Sequence, residues 1–209
     1  MTAAEDFTRY LAQCPLVAII RGVTPDEVEA IGEALVAGGV RIVEVPLNSP
    51  DPINSIRRLA RRLEGRALVG AGTVLEEAQV GQVAEAGGRI VVSPSTDTTV
   101  IRATVAAGMV SSPGYFTPSE AFEALKAGAR SLKLFPAEGA SPTVLKAQKA
   151  VLPKDVPVLA VGGILPDNMR PWLDAGAAGF GLGGGIYKPG QSPEETERKA
   201  RAYVAGLAA

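Results

Sequence analysis

The sequence predicts an α/β fold: a single (β/α)8 barrel of the TIM type with a short N-terminal helix, residues 1–209 forming one domain. Three observations predict it. Eight short β-rich runs recur at near-constant spacing, an Ala-Gly exit turn precedes five of them, and paired glycines cluster after the last two.

Residues 4–13 read as an extra helix packed below the first strand. Strands are expected near 17–22 (VAIIRG), 42–47 (IVEVPL), 68–72 (LVGAG) and 90–93 (IVVS). Four more are expected near 109–113 (MVSSP), 131–136 (SLKLFP), 156–162 (VPVLAVG) and 179–183 (GFGLG). Their starts lie 19 to 26 residues apart, room for the crossover helix that parallel neighbours require. Thr24-Pro25-Asp26-Glu27, Ser49-Pro50-Asp51 and Thr117-Pro118-Ser119-Glu120 put a capping hydroxyl before a first-turn proline and acids. Leu165-Pro166-Asp167 and Ser192-Pro193-Glu194-Glu195 are looser forms of the same start. Exits are expected at Gly38, Gly87, Gly108, Gly128 and Gly176, because glycine accepts the left-handed conformation that ends a helix. An open doubly wound sheet would have a glycine-rich first turn. Here that turn is Arg21-Gly22-Val23-Thr24, whereas Gly162-Gly163 and Gly183-Gly184-Gly185 fall where a barrel binds phosphate.

Composition narrows the chemistry. There is no histidine, which removes Ser-His-Asp and Cys-His catalysis and His-ligated metals. A net charge of -1, with no basic cluster, predicts no nucleic-acid and no membrane-surface partner. The single cysteine, Cys14, and a polar start without a secretory pattern predict a reducing, cytoplasmic setting. The 46% hydrophobic content suffices for one large core.

Charge placement then selects candidates. Of seven lysines only Lys133 lies inside an expected strand, and of 22 acids only Glu44. Arg21 alone of the arginines ends a strand, while Arg41, Arg89 and Arg130 precede strands on the opposite, stability face. Strand alternation sends Ser131, Lys133 and Phe135 inward, with Ile42, Glu44 and Pro46. A buried ion-pair network is the alternative, but buried pairs seldom repay their desolvation in stability. Amine chemistry requires a neutral lysine, and an unperturbed value near ~10.4 leaves under ~0.1% neutral at pH 7. Burial beside Phe135 and near Arg21 would favour the neutral amine, and Glu44 is the natural proton shuttle.

With these residues in place the sequence resembles the 2-keto-3-deoxy-6-phosphogluconate/phosphogalactonate aldolase family across roughly residues 12 to 190. The matching stretches are IIRGVTP, VEVPLNSP, VGAGTV, IVVSPS, SPGYFTPSEA, LKLFPAE and AVGGILPDN. The resemblance implies a class I aldolase without metal or other cofactor, acting as a homotrimer on a keto-deoxy sugar-acid phosphate that yields pyruvate. It puts the Schiff-base lysine at Lys133, the catalytic glutamate at Glu44 and the carboxylate-binding arginine at Arg21. Thr73, Pro94 and Phe135 match the pyruvate pocket, and Gly162, Gly163, Gly183 and Gly184 the phosphate loops.

Asn48 and Val161 read like the galactonate-directed branch, since gluconate enzymes tend to carry arginine and threonine there. Gly184 departs from the serine of many relatives. A gluconate or 4-hydroxy-2-oxoglutarate aldolase would share the catalytic residues. A phosphate-binding barrel isomerase fits Glu44 facing Lys133 less well, and a catalytically silent binding protein would not need the pair.

Overall fold

The computed structural model describes residues 1–208. Nine parallel strands alternate with helices: β1 Leu16–Ile19, β2 Ile42–Pro46, β3 Leu68–Gly72, β4 Ile90–Val92, β5 Val110–Ser112, β6 Gly114–Tyr115, β7 Leu132–Leu134, β8 Val158–Val161 and β9 Gly179–Leu182. Their lateral order is β5-β4-β3-β2-β1-β9-β8-β7-β6. The expected fifth strand is split at Pro113, whose nitrogen has no proton for a sheet bond. Its first half pairs with β4 (Val92 opposite Ser112), its second with β7 (Gly114 opposite Lys133). Across the break, Gly114 N–H donates to Ser93 O at 3.0 Å and Lys133 N–H to Pro113 O at 2.9 Å. Both ends of the sheet order thus meet in one stretch of chain, and the barrel closes with eightfold topology.

Alternation divides the apolar residues into two cores. Leu132, Leu134, Val43 and Val45 face outward into the layer shared with the helices. Val17, Ile19, Ile42, Ile90, Leu159 and Val161 fill the barrel interior. The N-terminal helix α1 (Ala3–Gln13) forms as expected and closes the interior from below with Ala3, Phe7 and Tyr10. Arg89 fastens it there, donating to the carboxylate of Asp6 and to Met1 O at 2.9 Å. This is the structural role expected at the amino-terminal face.

The eight outer helices are α2 (Val28–Ala37), α3 (Pro52–Arg62), α4 (Glu77–Glu85), α5 (Thr98–Ala106), α6 (Pro118–Lys126), α7 (Pro142–Lys149), α8 (Met169–Asp174) and α9 (Pro193–Gly206). At α6 the start signal reads true: Thr117 accepts from Glu120 N–H, and Glu120 accepts from the N–H groups of Phe116 and Thr117. Ser192 caps α9 by accepting from Glu195 N–H at 3.2 Å, without the reciprocal bond. Elsewhere the helix begins later than the signal. Thr24 heads a turn rather than α2, because Glu27 folds back to accept from Thr24 N–H. Asp51-Pro52 opens α3, and Ser49 is diverted to accept from Gly22 N–H at 2.9 Å, tying the first two loops together. Likewise α8 starts at Met169, since Asn168 first closes the preceding loop onto Leu165 and Gly163. The exits behave as expected at Gly87, Gly108, Gly128 and Gly176, but in the first unit Gly39, not Gly38, is left-handed. Among the described residues no helix is long and apolar enough to cross a membrane.

Candidate active site

At the carboxyl ends of the strands lies an open cleft of about 560 Å³, a size suited to a small molecule. Its wall carries Arg21, Thr73, Pro94, Lys133, Phe135, Val161, Gly162, Gly163, Gly183 and Gly184. Glu44 and Asn48 are not on that wall. Glu44 lies deeper, in a small inner cavity that it shares with Lys133. Asn48 sits outside the cleft and accepts a hydrogen bond from the Arg21 guanidinium, which also reaches Thr73 Oγ1 at 3.5 Å. Asn48 therefore orients the arginine. Arg21 itself stands two residues beyond the end of β1, in the first turn rather than in the strand.

The central strand of the site is β7, where the inward alternation leaves Lys133 only 7% exposed. Burial lowers its pKa, Glu44 opposes that shift, and Arg21 adds to it. The Lys133 ammonium lies 4.5 Å from the centroid of the Phe135 ring, so the ring forms one wall of its pocket. Glu44 is 2% exposed, and its Oε2 makes no hydrogen bond among the described residues. Burial pushes it up to about 7, against the attraction of Lys133 first and Arg21 second. Burial thus works against the charged form of both groups, moving the amine down and the carboxyl up, the arrangement that suits a nucleophile beside an acid/base.

Neighbouring strands shape this pair. A Cβ on Gly72 would stand 1.8 Å from Glu44 Oε2, so only glycine lets β3 pass beside the carboxylate. Thr73, the next residue, takes a left-handed φ of 56°, a costly conformation for a β-branched residue and one that aims its hydroxyl at Arg21.

The two glycine loops differ. Gly162 and Gly163 both have positive φ, and the side chain of Glu138 packs across them, its Oε2 2.0 Å from where a Gly162 Cβ would stand. Gly183 and Gly184 have open space around them, so a side chain at 184 would meet nothing within 4 Å. Tyr203 in α9 ties the loops to the body of the barrel. Its hydroxyl donates to Ile164 O at 3.0 Å and fills the space beside Gly185.

Sequence reasoning missed Glu138, Lys188 and Tyr187, all on the cleft wall. Glu138 sits in a single 3-10 turn, Ala137–Gly139, after β7, and Lys188 in the loop after β9. As loop charges they carried no strand signal. Their position directly after strands 7 and 9 was the one clue.

The chain matches the family described as "Aldolase: KDPG and KHG aldolase" over residues 8–196. It is 46% identical over 196 residues to "2-dehydro-3-deoxy-6-phosphogalactonate aldolase" of Escherichia coli K12, covering 94% of this chain and 96% of that one. A solved structure described as "Native KDPGal structure" superposes with a TM-score of 0.92 at 46% identity, covering 94% of this chain and 95% of its own. A KDPG aldolase from Legionella pneumophila, with pyruvate captured as a covalent carbinolamine, superposes with a TM-score of 0.84 at 28% identity, covering 98% of each chain.

Proposed function

The chain belongs to the KDPG and KHG aldolase family, and from that premise we propose that it is a class I aldolase splitting 2-dehydro-3-deoxy-6-phospho-D-galactonate into pyruvate and D-glyceraldehyde 3-phosphate. The observation that carries the reading is the buried pair Lys133 and Glu44, the amine shifted down and the carboxyl up, which share one inner cavity beneath the cleft.

In this reading the neutral Lys133 amine attacks the C2 carbonyl of the substrate, giving a carbinolamine. Glu44 returns a proton to the carbinolamine oxygen, water leaves, and the imine forms. Glu44, again a carboxylate, takes the proton of the C4 hydroxyl. The C3–C4 bond breaks, its electrons pass into the imine to give an enamine, and glyceraldehyde 3-phosphate departs. Protonation at C3 and hydrolysis of the imine release pyruvate and restore the amine. Arg21, oriented by Asn48 and Thr73, holds the substrate carboxylate; Pro94 and Phe135 pack on the pyruvyl methylene. Backbone N–H groups of Gly162, Gly163, Gly183 and Gly184 receive the phosphate.

Val161 faces the cleft with no hydrogen-bonding group. A threonine there could bond the C4 hydroxyl of the gluco epimer, whereas an apolar wall discriminates by only ~1–3 kcal/mol. The galacto substrate is therefore preferred, with measurable gluco activity. The same reading has the enzyme working as a homotrimer in the cytoplasm without a metal or organic cofactor.

Two measurements test it. Borohydride with pyruvate should reduce an imine onto the peptide containing Leu132-Lys133-Leu134; modification at another lysine removes the assignment to Lys133, and no modification at all removes the aldolase reading. Cleavage of the two C4 epimers side by side should favour the galacto form, and Val161→Thr should move the kcat/KM ratio toward gluco. A wild type that strongly prefers gluco would be a gluconate-directed aldolase with the same mechanism.

A further inference from the structure

Below the floor of the cleft, the inner cavity is walled by the apolar side chains of β1, β4 and β8 and by three polar ones, Glu44, Lys133 and Ser112. Ser112 is the last residue of β5, just before the Pro113 break, and is 1% exposed. Its Oγ makes no hydrogen bond among the described residues, and neither does Glu44 Oε2. A buried polar atom without a partner is costly, and native structures rarely leave two such atoms bordering one cavity. The cavity is about the size of a single water molecule, and three polar residues border it among apolar walls.

Building on the aldolase reading above, we propose that Ser112 is a positioning residue: with Glu44 Oε2 and Lys133 Nζ it holds one ordered water in the inner cavity, and through that water it keeps the Glu44 carboxylate supported from beneath. The charged groups facing Glu44 are Lys133 from β7, which borders the same cavity, and Arg21 from the turn after β1. Water donating to a carboxylate favours the ionised form. Removing the hydroxyl that anchors the water therefore raises the pH at which Glu44 loses its proton.

The test is the pH profile of kcat/KM for cleavage. Ser112→Ala should move the acid limb up by about half a unit or more, while Ser112→Thr, which keeps a hydroxyl, should retain the wild-type midpoint. Ser131→Ala is the control, because Ser131 is equally buried and equally without a partner but does not border the cavity. An unmoved midpoint in Ser112→Ala, or an equal shift in Ser131→Ala, overturns the proposal. A high-resolution crystal structure of the wild type gives a second readout that survives a poorly folding variant. Water within hydrogen-bonding distance of both Ser112 Oγ and Glu44 Oε2 supports the proposal, and its absence there overturns it. Failure of borohydride trapping at any lysine would instead bring down the aldolase reading, leaving the water site to be judged from the crystal structure.

Discussion

Single side chains in this barrel mix catalytic and stability costs, and Glu44 shows both. Its carboxyl is pushed up to about 7 by burial, so kcat/KM should fall below that pH as the base is protonated. Glu44→Gln should cut kcat by roughly 10² to 10⁴ and abolish the limb. The sign for stability runs the other way. An unfolded glutamate near ~4.3 ionises first, so the native state's relative stability declines as pH rises from there through about 7. Denaturant unfolding should find Glu44→Gln more stable than wild type by roughly 1–3 kcal/mol at pH 8, a gain that vanishes near pH 4. Glu138 makes a different residue-scale prediction. Its carboxylate packs across Gly162 and Gly163, where the proposed phosphate would sit, so Glu138→Gln should tighten competitive inhibition by inorganic phosphate several-fold with little change in kcat. Weaker phosphate inhibition in the variant would show that the carboxylate supports the loop instead of opposing the anion.

Elements matter through what they let their neighbours do. β3 runs beside β2 with Gly72 opposite Pro46, and this glycine leaves the space that the Glu44 side chain occupies. Gly72→Ala should fold and still trap pyruvate on Lys133, yet lose turnover to the level of Glu44→Gln. Combining the two substitutions should cost little more than either, because both remove the same positioned carboxylate. By contrast, the box that starts α6 includes no residue of the cleft wall. Thr117→Ala should lower unfolding free energy by about 1 kcal/mol while leaving kcat/KM unchanged. A change in kinetics with no change in stability would contradict that assignment.

Across the whole molecule, the apolar side chains left outside the two cores are the clearest unassigned feature. Phe116, Phe122, Val144 and Leu165 are exposed, as are Leu75, Val105 and Val151. A trimer that covered part of this surface would agree with the proposed assembly. Sedimentation equilibrium should return three times the 21.5 kDa chain mass. Replacing Phe116 and Phe122 by serine should shift the distribution toward smaller species if they line the contact. Activity should be unchanged by EDTA, since every proposed step uses side chains such as Lys133, Glu44 and Arg21 and backbone groups.

The barrel and its principal residues were legible in the sequence because they rest on periodic, local signals. Repeat spacing marked the βα units, alternation sent Lys133 and Glu44 inward, and the scarcity of charge inside strands singled them out. Boundaries were less legible where a residue had two competing partners: Ser49 and Thr24 read as capping hydroxyls, but Ser49 is drawn to Gly22 N–H and Glu27 folds back onto Thr24 N–H in a turn before the helix. Only the tertiary structure decided the rest. It joined Asn48 to Arg21 across 27 residues of chain, laid Glu138 over the glycine pair, and put Glu44 in an inner cavity with Ser112 instead of on the cleft wall. None of these has a sequence period. The first two depend on pairing neighbouring strands, β1 with β2 and β7 with β8, and the third on closing the strands into a ring, which buries in one interior layer groups that the chain keeps far apart.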